Sequence, residues 1–340
     1  MFQSFKMRSL FLFLPMVVIP LTFQMISSGQ PSSTATVNAP QSRLPPLKPL
    51  PQTTPALPKV LPPQLQTSAK TQAQKVVAPK HLLKTQAQSS KNKTNTRPYT
   101  APAVEIRVAI ARNVSSIAIA SSTVANIIDG NGQSLEPLPP SEAIQISANN
   151  STILFQNWQI PSLLWIEPTE GGAVFVGNSW YRGKLLLIAQ GNNLLAINYV
   201  DLEEYLLSVV GSEMSAAAPI EALKAQAVAA RSYALVHIFR PANGWFDVTS
   251  GERHQAYKGI ATEYNTTHQA VGETAGEILS SQGGVVESLY AATQEIVDRA
   301  HKGAGMSQTG AYAYANQGYD YRQILGVYYP GVAIARLKEN

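Results

Sequence analysis

The residues best placed to do chemistry lie in the run Asp201 to Val236, DLEEYLLSVVGSEMSAAAPIEALKAQAVAARSYALV. Glu213 sits there between two helical patterns, and Arg231 projects from the inner face of the second. A lone carboxyl group at such a junction is a candidate proton donor and acceptor. Further along, His301 to Gly331 opens with a glycine-rich stretch carrying His301, Ser307 and Gln308. Gly303 and Gly305 free the backbone for close approach to a ligand, and Gln308 can both donate to and accept from hydroxyl or acetamido groups. Spacing alone leaves several readings open. Glu213 and Arg231 could form a buried ion pair that ties two helices together, Glu213 could be a solvated loop carboxylate, and the glycines could serve only a turn.

Local signals show which elements must hold these side chains. Proline suits a first helical position, so Pro219 marks the start of a helix over Ile220 to Phe239. Ala, Leu, Lys, Gln and Glu, all good helix formers, dominate that run. Ile220, Leu223, Ala227, Ala230, Ala234, Leu235 and Ile238 fall on one apolar stripe, with Arg231 near its middle. A guanidinium on a buried face must be paired, and the small alanines around it admit another segment. Leu202, Leu206, Val209 and Val210 give Leu202 to Ser212 a helical spacing that delivers Glu213 to the turn before Pro219. Ser307 is the expected N-cap of a helix running to Asn316. Asp320 and Gln323 form a capping box opening a last short helix, whose Ile324, Leu325, Tyr328 and Tyr329 read as core.

Four ordered blocks carry a family resemblance. They are Glu204 to Met214 (EYLLSVVGSEM), Pro219 to Tyr233 (PIEALKAQAVAARSY), Gln255 to Gly259 (QAYKG) and Gly305 to Ala311 (GMSQTGA). Together they resemble the sporulation stage II protein D (SpoIID) family, which includes the amidase enhancers. Tyr181-Arg182-Gly183 is similar to a further element of that family. The resemblance implies a lytic transglycosylase of peptidoglycan, with Glu213 as the catalytic acid. It implies Arg231, Tyr233, Gln255, Tyr257, His301, Gly305, Met306, Ser307 and Gln308 on the substrate side. The alternative it leaves is a wall-binding enhancer of an N-acetylmuramoyl-L-alanine amidase that cuts no glycan itself.

One acid is sufficient for such a reaction. Ordinary glycosidases need two carboxyl groups, whereas here the 6-hydroxyl of N-acetylmuramic acid attacks its own anomeric carbon. A single carboxyl group then protonates the leaving oxygen and afterwards accepts the hydroxyl proton. A close Arg231 partner would weaken that acid, so Arg231 is expected to bind substrate or orient the loop rather than pair tightly with Glu213. Some relatives carry cysteines and a histidine before the Q-x-Y-x-G block, where they can bind zinc. This chain has no cysteine and only His254 in the run Asp247 to His254, so no metal site and no cofactor are expected. Only Ala291 to Ala300 separates Tyr290 from His301, where many relatives carry a much longer insertion.

Charge divides the chain. Twelve of the 26 Lys and Arg precede the first acid, Glu105, leaving a net acidic remainder. The basic excess therefore belongs to a tail without base-reading or aromatic partners, which argues against nucleic-acid binding. Residues 30–102, rich in Pro, Ser, Thr, Gln and Lys, are expected to form a disordered linker. Lys6 and Arg8 ahead of Leu10 to Phe23 mark residues 1–29 as a signal peptide or signal anchor. Export to the periplasm or cell wall follows, with membrane anchoring by this segment as one outcome. The expected partners are peptidoglycan glycan strands and a cell-wall amidase.

Strand patterns fill the stretch between linker and helices: Val104 to Ala111, Ser116 to Ala120, Ala143 to Ser147, Ile153 to Phe155, Leu163 to Ile166, Ala173 to Val176, Lys184 to Ala189 and Leu194 to Val200. Asp129 to Gly132 reads as a turn. Strands first and helices later indicate an α+β fold, a strand-rich N-terminal part packed with a helical catalytic part. The expected domain is 103–340, strand-rich over 103–200 and helical over 201–340, with a strand-rich subdomain near 135 to 185.

Overall fold

The computed structural model describes residues 99–251 and 253–338. The expected signal segment, and the expected linker up to residue 98, lie outside them. The described part is α+β, with strands before helices. The strands are β1 (Glu105–Val114), β2 (Ser116–Ser121), β3 (Ala125–Asp129), β4 (Ile144–Asn149), β5 (Thr152–Phe155), β6 (Trp158–Pro161), β7 (Leu163–Pro168), β8 (Val174–Val176), β9 (Ser179–Tyr181), β10 (Lys184–Gln190) and β11 (Asn193–Asp201). There follow α1 (Leu202–Glu213), α2 (Ile220–Phe239), β12 (Val248–Thr249), α3 (Asn265–Glu273), β13 (Glu277–Ser281), β14 (Gly284–Val285), β15 (Tyr290–Ala291), α4 (Gln294–His301), β16 (Met306–Ser307), α5 (Gln308–Asn316), α6 (Tyr321–Tyr328) and β17 (Ala333–Arg336). Among the described residues no helix is long and apolar enough to cross a membrane.

Strands β1 to β12 make two sheets, ordered β12-β1-β11-β10-β7-β3 and β6-β5-β4-β2-β8-β9. Alternation explains the layering. Ile117, Ile119, Ile146 and Ile153 of the second sheet share one core with Ile106, Ile127, Leu185 and Leu187 of the first. The strand-rich subdomain expected near 135 to 185 therefore does not stand apart, because its strands complete a core begun at β1. Among the first eleven strands three escape the sequence patterns, β3, β6 and β9, and so do β12 to β17 beyond them. They are short, and β6 ends in a proline, so none offers enough alternation to be read. The Asp129 turn forms as expected, with its Oδ1 accepting from the N–H groups of Asn131 and Gln133 at 2.9 and 2.8 Å.

The helical part is organised around α2. Its limits match the sequence pattern, but Pro219 is the N-cap rather than the first helical residue. From Ala222 to Val236 every residue except Lys224 is buried, so α2 is enclosed on all sides instead of presenting one stripe. It packs against α1, α3, α5, α6 and β13. Alanine on nearly every face permits this, since close approach needs small side chains. On α1, Asp201 caps the start by accepting from the Glu203 N–H at 2.9 Å. Gly211 leaves room for the Thr262 carbonyl against that helix, and the Thr262 hydroxyl bonds Ser208 and Ser212 at 3.0 Å each.

Arg231, fully buried, is paired with Glu203 and not with Glu213. Its Nε and Nη2 donate to the two Glu203 carboxylate oxygens at 2.7 Å each, and Nη1 donates to the Glu277 carbonyl at 3.0 Å. The Gly276 N–H adds a bond to Glu203 Oε1 at 3.2 Å. One guanidinium thus joins α1, α2 and the start of β13. Arg231→Met leaves Glu203 without its partner and is expected to cost about 3–5 kcal/mol of stability, measured by urea unfolding. Arg231→Lys should recover only part of this, because an ammonium lacks the bidentate fork.

Candidate functional site

Glu213 is the last residue of α1, half-buried at the helix end. Its Oε1 accepts from the Ala256 N–H at 2.7 Å, and its Oε2 faces Gln308 Nε2 at 3.3 Å. The two oxygens therefore meet donors from two distant segments, the loop at Ala256 and the start of α5. Around them opens a cleft of about 270 Å³ lined by Glu213, Met214, Ser215, Ala218, Ala292, Gln308, Thr309 and Tyr312. Glu213 is the one charged residue in that lining. A larger cleft of about 530 Å³ runs past Arg182, Lys184 and Glu204 and contains neither Glu213 nor Gln308. Its Arg182 is committed to Glu263, with Nε–Oε1 and Nη2–Oε2 distances of 2.9 and 2.8 Å. The smaller cleft is the better candidate, because there a carboxyl group meets open space beside a neutral amide.

Behind Glu213 lies a fixed amide bracket. Gln255 is fully buried; its Oε1 accepts from the Tyr205 hydroxyl at 3.0 Å, and its Nε2 donates to the Ala230 carbonyl at 3.1 Å and the Tyr290 hydroxyl at 2.8 Å. With all three bonds spent inside the protein, Gln255 cannot reach a ligand. What it does is hold the loop so that the next residue, Ala256, aims its N–H at the carboxylate. Burial, and then the Glu213 charge, push the phenols of Tyr205 and Tyr290 well above their ordinary range. Tyr233 is pushed up to about 12 by burial, then by Glu287 and Glu213. All three phenols stay protonated at any working pH.

The other expected residues divide between scaffold and cleft. Gln308 shares the cleft with Glu213, as the lining shows. Arg231 does not, because its charge is spent on Glu203. Tyr257 is buried, its hydroxyl donating to Asn198 Oδ1 at 2.8 Å and its ring stacked between Tyr181 and Tyr205, so it ties the loop to β11 instead of touching a ligand. Tyr233 packs on His237 and Tyr290 and is absent from the cleft lining. Met306 is fully buried and anchors β16 through its N–H to the Leu289 carbonyl at 2.9 Å. Ser307 caps α5, its hydroxyl accepting from the Gly310 N–H at 3.1 Å. Gly305 is required because a Cβ would approach the Leu289 carbonyl oxygen to 2.7 Å. His301 ends α4, half-buried, outside the cleft lining.

Sequence reasoning missed Tyr312 and Ala256. Tyr312 had a readable signal, since it follows Gln308 by four residues on one helix and must share its face. Ala256 had none, because its contribution is a backbone N–H.

A mixed α+β fold that presents a single carboxyl group at an open cleft, backed by buried amides and phenols, defines the class. Residues 190–280 match the family described as Stage II sporulation protein, SpoIID, which supports assigning that span to the family. The match includes Glu213, Arg231 and the Gln255 loop. An uncharacterized protein of Brachyspira hyodysenteriae is 38% identical over 125 residues, covering 36% of this chain and 34% of that protein. An uncharacterized protein of Chlamydia muridarum is 27% identical over 177 residues, covering 51% of this chain and 57% of that protein. The chain thus spans about a third and somewhat over half of the length of these curated relatives.

His254 and His237, whose rings lie 5.2 Å apart, flank the loop that carries Gln255. Burial lowers the affinity of both for a proton, reinforced at His254 by His237 and the nearby arginines and opposed at His237 by Glu287. Their folded pKa values lie below the unfolded one, so the unfolded chain binds more protons just below pH ~6.5. Stability should therefore fall as pH drops from about 7 toward 5. Thermal unfolding of His237→Phe and His254→Asn across that range checks this, each variant flattening part of the slope.

Proposed function

We propose that this protein is a lytic transglycosylase acting on peptidoglycan glycan strands, exported to the cell envelope, with Glu213 as its acid and base. The observation that carries this reading is the unequal setting of the two Glu213 oxygens. Oε1 is held by a 2.7 Å bond from a main-chain N–H, while Oε2 faces the cleft beside Gln308. The proton consequently resides on Oε2. It passes to the glycosidic oxygen as the bond from that oxygen to the anomeric carbon breaks. The 6-hydroxyl of the same N-acetylmuramic acid residue then bonds to the anomeric carbon and returns its proton to Oε2, restoring the acid. No water is consumed, and the product carries a 1,6-anhydro ring.

The cleft walls suit a sugar. Met214, Ala218 and Ala292 supply apolar surface, and Tyr312, 43% exposed, offers a ring against which a pyranose face can stack.

Purified protein incubated with glycan stripped of stem peptides should yield anhydro-muramyl ends by mass spectrometry. Glu213→Gln, which keeps the shape and removes the proton, should lower their rate of formation by about 10²–10⁴-fold. Amidase stimulation that survives Glu213→Gln, with no anhydro ends from either protein, would overturn the proposal in favour of an enhancer. Tyr312→Ala should weaken glycan binding about tenfold, measured by calorimetry in the Glu213→Gln background, while Tyr312→Phe retains it.

A further inference from the structure

The end of α2 away from the cleft carries an exposed patch that the reaction does not use. Among the described residues six large apolar side chains are exposed, and two of them, Phe239 at 71% and Trp245 at 44%, fall within one stretch of seven residues. Single exposed apolar residues are ordinary, whereas paired ones mark a surface that something covers. The loop that holds them is fixed. Asn243 Oδ1 accepts from the N–H groups of Trp245 and Phe246 at 2.7 and 3.0 Å, and the Ala242 N–H donates to the Asp247 carbonyl at 3.1 Å. Arg107 Nη1 ties the Gly244 carbonyl to β1 at 3.2 Å, and Phe246 turns inward, 5% exposed. Phe246 thus anchors the loop while Trp245 beside it stays outside.

Three arginines stand around these rings. Arg240 follows Phe239 directly, and the Arg112 guanidinium lies 5.7 Å from the centre of the Phe246 ring. Arg253 precedes His254, whose ring meets that of His237, in the last turn of α2, at 5.2 Å. After burial, Arg240 contributes to the lowered proton affinity of His237, and Arg253 and Arg112 to that of His254. All three charges therefore act on one pair of imidazoles. None of them is in an ion pair among the described residues. Of the acids nearby, Asp247 is buried and held by Arg107 at 2.6 Å, Glu287 lies 3.7 Å from His237 Nε2, and Glu252 is the sequence neighbour of Arg253. The free arginines still outnumber the free acids, in a chain whose residues from Glu105 onward are net acidic.

That combination suits the headgroup layer of a membrane. Aromatic rings settle at the boundary with the acyl chains, and guanidiniums beside them meet lipid phosphates. A sugar covers one face of a ring and needs neighbours that both accept and donate, whereas guanidiniums only donate. We propose that the Phe239 to Trp245 loop docks on an anionic lipid surface, with its two exposed rings at the acyl boundary and Arg112, Arg240 and Arg253 on phosphates. The 20 residues of α2 set this end about 30 Å from Ala218 in the cleft, which stays open. Docking at this end does not depend on the reaction at Glu213.

Trp245 can report its own depth. The full chain is bound to vesicles of phosphatidylglycerol and phosphatidylcholine with brominated acyl chains, and Trp245 emission is taken as the difference from Trp245→Phe. Co-sedimentation gives the fraction of chain carried, because the basic residues ahead of Glu105 can bind such vesicles by themselves. Per bound chain, Trp245 should be blue-shifted and quenched on the anionic vesicles and unchanged on phosphatidylcholine alone. Each arginine is worth about fivefold near an anionic surface, so replacing Arg112, Arg240 and Arg253 together by Gln should lower the ratio of docked to undocked chain about a hundredfold. Phe239→Ser, at a position outside the core, should lower it about tenfold and keeps the test open if the triple variant unfolds. Trp245 that stays unquenched on vesicles carrying the chain would overturn the proposal, as would equal quenching on phosphatidylcholine alone or docking untouched by these variants. A Trp245 signal that answers to denuded glycan and not to lipid would overturn it in favour of a glycan platform.

Discussion

A guanidinium that water does not reach lies in the middle of α2, and the helical half of this protein is built to satisfy it. Glu203 reaches it from α1 and the Glu277 carbonyl from β13, so three elements are fixed relative to one another by one charge. A buried pair of this kind contributes little net stability compared with apolar packing, but it tolerates no change of register, because either partner alone is severely penalised. That constraint sets the angle at which α1 meets α2, and Glu213 is the final residue of α1. The position of the acid is thus inherited from an ion pair in which it takes no part.

A second layer of constraint acts through neutral groups. Gln255 spends both ends of its amide on Tyr205, Ala230 and Tyr290, which leaves its neighbour's N–H pointing at Glu213. Tyr257 fastens the same loop to Asn198 of β11. The strand-rich half therefore serves as an anchor for the loop that orients the carboxylate. The Ala256 N–H and the Gln308 amide are neutral donors, which orient a carboxyl group without the lowering of its pKa that a cation brings.

Much of the architecture was legible beforehand. The limits of α2, the Ser307 cap and the Asp320 and Gln323 box are local, determined by residues within a few positions of each other, and the structure forms each of them. The alternating strands were readable for the same reason. Among the first eleven strands those that escaped, β3, β6 and β9, lie at sheet edges, where a single neighbouring strand offers them hydrogen bonds. The enclosure of α2 was half-legible: its alanines promised close contact, but their number on every face looked like helix propensity instead of burial.

At the site itself, sequence determined which residue types were available and that Glu213 stood at a helix junction. It could not decide among Arg231's partners, since Glu203 and Glu213 both lie on α1 and only the three-dimensional crossing of two helices selects between them. Nor could it separate Gln308, which reaches the cleft, from Gln255 and Tyr257, which stand behind it. All three are polar residues in loop-bordering motifs, and whether such a side chain faces ligand or core depends on which segment covers it. Chain-local physics gives caps, periods and turns, whereas partnership across tens of residues is decided by packing, where the cost of an unsatisfied buried group selects one arrangement.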